Sequence, residues 1–335
     1  MESIDVHFHI APPRFVDLVR SGALREIVDV ERVGDVDQLQ FRPPAGVAVE
    51  PDTAIRPHLY DPGLILEAME RRKLDAAALS PPPEFFLYWA PPELGEAIAR
   101  ATNDGFAELA RAYPDRFVPL ATLPMQDPVL AARELERAVT ELGLRGAAIC
   151  THVNGQDLDL PRFRPVLAAA ARLETPLFLH PQNSGNVSRL SEYHLWNLVG
   201  FPTETAVTAA RLILSGVFEE LPELRVILAH GGGFFPYQIG RLDHGYAARE
   251  SLRERLPRPP SAYLGNVYAD SLIHDGRSLR FLLDRLGSDH VVLGSDYPFD
   301  MGCDGPVDAV RELGLPSDTE RAVLGGTLAR LLKLA

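Results

Sequence analysis

The strongest constraint on this chain is a repeated alternation of short apolar runs with longer stretches of helical period. The predicted strands cover residues 3–8, 76–80, 117–121, 146–151, 176–180, 225–230, 267–271 and 290–295. Several of them end in polar residues. Helices are predicted over 92–113, 128–142, 163–173 and 203–218. In 128–142 the apolar residues Leu130, Ala131, Leu135, Ala138, Val139 and Leu142 recur at helical spacing, with Arg133, Glu134, Glu136 and Arg137 between them. Eight strands alternating with helices predict a single (β/α)₈ TIM barrel spanning residues 1–335. A length of 335 residues would divide into about two average domains, but α/β barrels often run this long as one. A doubly wound open sheet is the competing architecture, weakened because no GxGxxG follows the first strand. Residues 11–66 exceed an ordinary strand–helix loop. Their proline-rich stretches at 41–47 and 53–62 predict an excursion or small hairpin over the barrel mouth.

Composition excludes several functions. A net charge of -13 makes nucleic acid and anionic membrane poor partners. No apolar run reaches the roughly 20 residues of a spanning helix, and Met1-Glu2-Ser3-Ile4-Asp5 lacks a signal peptide's basic start. Two cysteines, Cys150 and Cys303, make no disulfide framework, and a reducing, cytoplasmic location is expected. Lysine occurs only at Lys73 and Lys333, within a charged helical run and beside the C-terminus. A Schiff base, a P-loop and a carbamylated-lysine metal bridge each need a lysine at the chemistry, so all three are disfavoured.

The chemistry-bearing residues sit where strands end. His7 and His9 are two apart on the first strand and project to the same side. His180 closes Pro176-Leu177-Phe178-Leu179, His230 closes Val226-Ile227-Leu228-Ala229 and precedes three glycines, and Asp296 follows Val291-Val292-Leu293-Gly294-Ser295. Each has a bland reading when taken alone: a chance surface pair, a loop-bonded histidine, a tight turn, a helix cap. Taken together, four strand ends bring imidazoles and one carboxylate to a single barrel face, a donor set suited to Zn²⁺ with an open position for water. A catalytic metal site is the expectation.

These motifs resemble the amidohydrolase superfamily, specifically its amidohydrolase-2 group. The resemblance runs from Ile4-Asp5-Val6-His7-Phe8-His9 to Leu328-Ala329-Arg330-Leu331-Leu332, through Leu179-His180-Pro181, Leu214-Ser215-Gly216-Val217-Phe218, Leu228-Ala229-His230-Gly231-Gly232-Gly233, Arg258-Pro259-Pro260 and Leu293-Gly294-Ser295-Asp296-Tyr297-Pro298. It implies that His7, His9, His180 and Asp296 bind one divalent metal, zinc being the expected ion, and that His230 is the acid/base residue beside a metal-held water. Binuclear members carry a bridging lysine at the end of strand four, where this chain has Ile149-Cys150-Thr151-His152, so one ion is expected. The resemblance also assigns Arg56 to a substrate carboxylate, with Arg42 as its rival. It places Arg241 and Arg249 at the spacing of arginines that reach a neighbouring subunit's site, which implies a homodimer. Tyr193 falls where the family has a pocket tryptophan, with Trp196 nearby, and Gly325-Gly326-Thr327 departs from the family's usual Gly-Asn. The polar segment 182–192 is a natural specificity loop.

The leading functional expectation is non-oxidative decarboxylation of a small unsaturated or aromatic carboxylic acid with no organic cofactor. A metal-assisted hydrolase or hydratase acting on an amide, lactone or C=C bond is the alternative. An inactive scaffold would be expected to have lost at least one of the ligands.

Overall fold

The computed structural model describes residues 1–45, 53–182 and 188–334. Its strands, in chain order, are β1 (Ile4–His9), β2 (Val28–Val33), β3 (Val36–Phe41), β4 (Ala54–Ile55), β5 (Ala76–Ser80), β6 (Ala147–Cys150), β7 (His152–Val153), β8 (Gln156–Asp157), β9 (Leu177–His180), β10 (Val226–Leu228), β11 (Val267–Asp270) and β12 (Val291–Val292). The fold is α/β with parallel pairing. Five strands form a parallel sheet in the order β12-β11-β10-β9-β6, and β1 pairs in parallel with β5. Further backbone bonds join these pieces. Val118 and Leu120 donate to Ala77 and Leu79 at 2.9 and 2.8 Å, Ala148 donates to Ala121 at 2.8 Å, and Val6 and His9 donate to Leu293 and Tyr297 at 2.9 and 2.8 Å.

Strands β1, β5, β6, β9, β10 and β11 are buried along their whole length, as parallel strands covered on both faces must be. Segment 117–121 departs from its prediction. It is extended and bridges both neighbours, at Phe117 to Ala77 and Ala121 to Ala147, but it forms no regular strand. Pro119 at its centre has no N–H to give the ladder. The predicted 290–295 strand is likewise cut to Val291–Val292.

Helices pack outside this core. Those that matter below are α1 (Pro13–Arg20), α2 (Pro62–Arg71), α3 (Pro92–Ala112), α4 (Pro128–Thr140), α5 (Arg164–Arg172), α6 (Phe201–Leu214), α7 (Val217–Glu220) and α8 (Phe235–Ala248). Two begin on an aspartate cap followed by proline. Asp61 accepts from Gly63 N at 2.8 Å, and Asp127 accepts from Val129 N at 2.9 Å. In helix α4 one charged residue between the apolar positions is buried: Glu134 is 3% exposed, accepting from Asn103 Nδ2 at 2.7 Å and Arg137 Nη2 at 2.7 Å.

The segment 11–66 is more ordered than its proline content suggests, over the part that is described. It holds helix α1 and an antiparallel sheet β2-β3-β4 whose hairpin closes through Gly34 at φ +64°. Phe15, Val16, Val19, Leu24, Ile27, Leu39 and Ile55 build a separate apolar cluster with Phe85 and Ile98. Asp37 ties the pieces together, accepting from Arg20 Nε at 2.8 Å and Arg32 Nη1 at 2.9 Å.

Candidate metal centre

Five side chains from four strand ends meet in one buried place. His7 and His9 lie on β1, His180 is the last residue of β9, His230 stands two residues past β10, and Asp296 follows β12. Adjacent imidazole centroids are 4.9 to 5.1 Å apart for His7–His180, His7–His9 and His180–His230. His230 and Asp296 both adopt left-handed backbone, at φ +55° and +60°. Non-glycine residues rarely hold that conformation, and it recurs where a site has to aim a side chain.

The hydrogen bonds fix which imidazole nitrogen carries the proton. His7 Nδ1–H donates to Asp270 Oδ2 at 2.7 Å, His9 Nδ1–H to the Pro81 carbonyl at 3.1 Å, and His180 Nδ1–H to the Pro181 carbonyl at 2.7 Å. These three partners only accept, and Ser80 Oγ, also 3.1 Å from His9 Nδ1, can accept too. With the proton on Nδ1, each Nε2 is left with its lone pair directed inward. His7 Nε2 and His9 Nε2 face Asp296 Oδ1 at 3.1 and 3.2 Å, and His230 Nε2 lies 3.5 Å from Asp296 Oδ2. The Nε2 atoms of His7, His9 and His180 and Oδ1 of Asp296 are buried, and among the described residues none has a hydrogen-bond partner. Lone pairs facing one another at such distances need a cation between them. Three imidazoles and a carboxylate suit zinc or manganese. The donor set therefore fits a divalent metal.

Electrostatics without an ion tell the same story. Burial opposes charge on His7, but Asp296 and Asp270 outweigh it and raise its pKa to about 10. Burial also works against an ionised Asp296, yet the charge of His7 and the close approach of the His230, His7 and His9 rings hold it well below the usual carboxylate range. His180 is pushed far down by burial and by the neighbouring His7, His9 and His230. Burial likewise lowers His9. One proton on His7 thus stands in for a bound cation.

His7, His180, His230 and Asp296 form one group able to hold a metal ion, with a ligating atom of each within 4.8 Å of the others. His9 is not among those four, although it touches Asp296, and His230, assigned from sequence to proton transfer, is. His180 and Asp296 also line a cavity of about 120 Å³ with Phe41, Trp89, Trp196, Phe201 and Phe299 as aromatic walls, and Glu84, Gln182, Asn197 and Asp300 as polar ones. An engineered cavity of about 150 Å³ takes up one benzene, so this one is on the scale of a single ring and no larger.

The chain matches the amidohydrolase family model over residues 4–334. It belongs to the amidohydrolase family. This amidohydrolase is 38% identical over 279 residues to 2-amino-3-carboxymuconate-6-semialdehyde decarboxylase of Dictyostelium discoideum, covering 82% of this chain and 77% of the relative. The structure of 5-carboxyvanillate decarboxylase from Sphingomonas paucimobilis superposes with a TM-score of 0.83 at 28% identity, covering 100% of this chain and 99% of that one. Dihydroxybenzoic acid decarboxylase from Polaromonas sp. JS666, solved with bound manganese and the inhibitor 2-nitroresorcinol, gives 0.78 at 26% identity, covering 99% and 97%. The relatives are decarboxylases, and this amidohydrolase is a carboxy-lyase.

Of the other residues singled out from sequence, the arginines and Tyr193 are not among those that line the cavity. Arg42 pairs with Asp29 and bonds the Arg25 carbonyl at 3.1 Å. Arg56, Arg241 and Arg249 are exposed, and Tyr193 is 79% exposed while Trp196 lines the cavity in its place. His152 donates from Nε2 to the Gln182 carbonyl at 3.1 Å, a loop role. Residues 183–187 of the specificity loop lie outside the described residues. Sequence reasoning missed Asp270, although a strand-ending carboxylate is the same signal that marks Asp296. It also missed the aromatic walls, which come from segments far apart in the chain and carry no local signature.

Proposed function

We propose that this amidohydrolase is a metal-dependent, non-oxidative decarboxylase of a small aromatic carboxylic acid. The observation that carries the reading is that His180 and Asp296, two of the converging donors, form part of the wall of a one-ring aromatic cavity. His7, His9, His180 and Asp296 would hold one divalent ion. Such an ion supplies Lewis-acid stabilisation of negative charge on substrate oxygen. Zinc is the ion expected from the sequence, manganese is bound in the Polaromonas relative, and elemental analysis separates them.

The chain's own residues do the rest. Trp89, Trp196 and Phe201 clasp the ring and exclude water, while Gln182 and Asn197 offer amide contacts to its substituents. When the carbon–carbon bond to the carboxylate breaks, its electron pair stays on the ring carbon and CO₂ departs. That carbon then needs a proton. We assign its delivery to His230, whose Nε2 lies 3.5 Å from Asp296 Oδ2. The reading needs no organic cofactor.

The described cavity wall has no arginine or lysine. We assign substrate-carboxylate binding to a homodimer in which Arg241 and Arg249 reach the partner's site, with Arg56 as the anchor in the same chain. Phe234 and Tyr237 support this. They lie on the segment that carries Arg241 and are 44% and 74% exposed, and the Tyr237 ring is 6.0 Å from that of Phe281, itself 44% exposed. Contiguous exposed apolar surface of this kind marks an interaction site.

We read the fold as one domain over residues 1–335, a (β/α)₈ barrel with residues 11–66 as an insertion over its mouth. The backbone bonds that link each strand segment to the next and return from Leu293 to Val6 support it. So does Phe41, an insertion residue that lines the cavity. No described helix is long and apolar enough to cross a membrane. The free thiols of Cys150 and Cys303 accord with a cytoplasmic location.

The test is a panel of hydroxybenzoic acids carrying ¹³C in the carboxyl group. Release of ¹³CO₂ with formation of the matching phenol supports decarboxylation. Turnover of amides or lactones with no CO₂ from any acid would replace it with hydrolysis.

A further inference from the structure

Asp270 ends β11, is fully buried, and has no part in the mechanism above. Its carboxylate accepts four hydrogen bonds. Oδ2 takes His7 Nδ1–H at 2.7 Å and the backbone N–H of His230 at 3.0 Å, and Oδ1 takes Gly231 N–H at 2.8 Å and Leu272 N–H at 3.2 Å. One side chain therefore holds the ring of a metal-site histidine and the backbone of the acid/base histidine. We infer that Asp270 is a positioning residue that sets the lone-pair direction of His7 and the left-handed bend at His230 together. The inference rests on the metal-site reading.

Two features of the fold support a dedicated role. His230 and Gly231 run through left-handed backbone at φ +55° and +63°, a conformation that persists at a non-glycine residue only where the surroundings over-determine it. Both N–H groups of that bend are taken by Asp270. Residue 294, on the neighbouring segment, is glycine. A Cβ there would lie 2.8 Å from Asp270 Cβ and 3.1 Å from His7 Cβ, so the packing keeps this position bare to let the pair meet.

An asparagine is nearly the same shape but cannot replace the carboxylate. Both oxygens of Asp270 face donors, so the amide NH₂ must confront either His7 Nδ1–H with the His230 N–H, or the Gly231 and Leu272 N–H groups. In the first case His7 moves its proton to Nε2 and loses the lone pair aimed at the metal site. In the second, the bend that carries His230 opens.

The test compares Asp270→Asn with the unmodified protein in competition of Zn²⁺ against a chromophoric chelator, after melting curves of the metal-free proteins establish that both are folded. The expected result is binding weaker by about 10- to 100-fold, the usual effect of losing a partner that orients a ligand. Affinity within twofold of the unmodified protein would overturn the inference. Should Asp270→Asn not fold, ¹⁵N spectra of the unmodified protein decide instead. A proton on His7 Nδ1 supports the inference, and a bare Nδ1 refutes it. Failure of the unmodified protein to bind any divalent ion would overturn the metal reading itself. The ring-nitrogen measurement on that protein would still judge Asp270, because the proton on Nδ1 is required with or without the ion.

Discussion

His7 Nε2 and Asp296 Oδ1 lie 3.1 Å apart, each buried. Asp270 on the far side of the ring takes the His7 Nδ1 proton. Two acceptors held face to face are costly unless something positive joins them, and the chain supplies only a proton for that purpose. This pair explains both the basicity of metal-free His7 and why an ion would displace that basicity.

The first prediction is therefore proton release. His7 in the metal-free protein keeps its proton up to about pH 10, so an ion that binds below that pH must expel it. Affinity should rise with pH, by about tenfold per unit from this group alone, and level off near 10. Calorimetry at pH 8 in two buffers of different ionisation enthalpy measures the proton count. At least one proton per ion is expected, and none would mean that His7 is not displaced.

Removing a ligand should remove the ion. His180→Ala and Asp296→Ala each delete an inward-facing donor, and both metal content and activity should fall together. Elemental analysis beside turnover checks this. Full metal content in either variant would take that residue out of the ligand set.

His230→Ala separates two roles. If His230 works as the proton donor, the variant keeps its metal while turnover falls by about 10²- to 10⁴-fold. Its place among the four donors within 4.8 Å makes the opposite outcome concrete. Metal lost with activity would make His230 a ligand and move proton delivery elsewhere.

The cavity wall should govern binding more than chemistry. Trp89 lines the cavity, its ring packing 6.1 Å from that of Phe41, and neither belongs to the donor cluster. Trp89→Leu should raise KM by about 2- to 10-fold with kcat little changed, the scale of one lost aromatic contact. A fall in kcat with KM unchanged would place Trp89 in the chemical step.

Subunit sharing is testable by mixing. Arg241→Ala and His230→Ala chains, each inactive alone, should regain activity when subunits exchange, because one site of the mixed dimer is intact. Exchange demonstrated by mass spectrometry without recovered activity would confine each site to one chain.

Much of the candidate site was legible because a buried strand that ends abruptly in histidine or aspartate advertises itself. His7, His9, His180, His230 and Asp296 all did so, and the structure gathers all five. Asp270 ends a strand in the same way but offers no motif, and its partners lie 263 and 40 residues away. Phe41, Trp89, Phe201 and Phe299 converge only through the fold, so no window of sequence contains the cavity. A small hairpin was among the readings of residues 11–66. Helix α1 and the hairpin's exact place were hidden by a proline-rich context that reads as irregular, although Gly34-Asp35 between valines was a usable turn signal. Glu134 went unread as a buried group because its partner Asn103 sits on another helix.

The central claim is one ion per chain that supports decarboxylation, and the most direct test is a titration. Metal-free protein receives increasing equivalents of Zn²⁺ or Mn²⁺, and ¹³CO₂ released from a labelled hydroxybenzoic acid is recorded at each step. The account predicts a linear rise from zero that breaks at one equivalent per chain. Full release with no added ion, or a break at two, would contradict it.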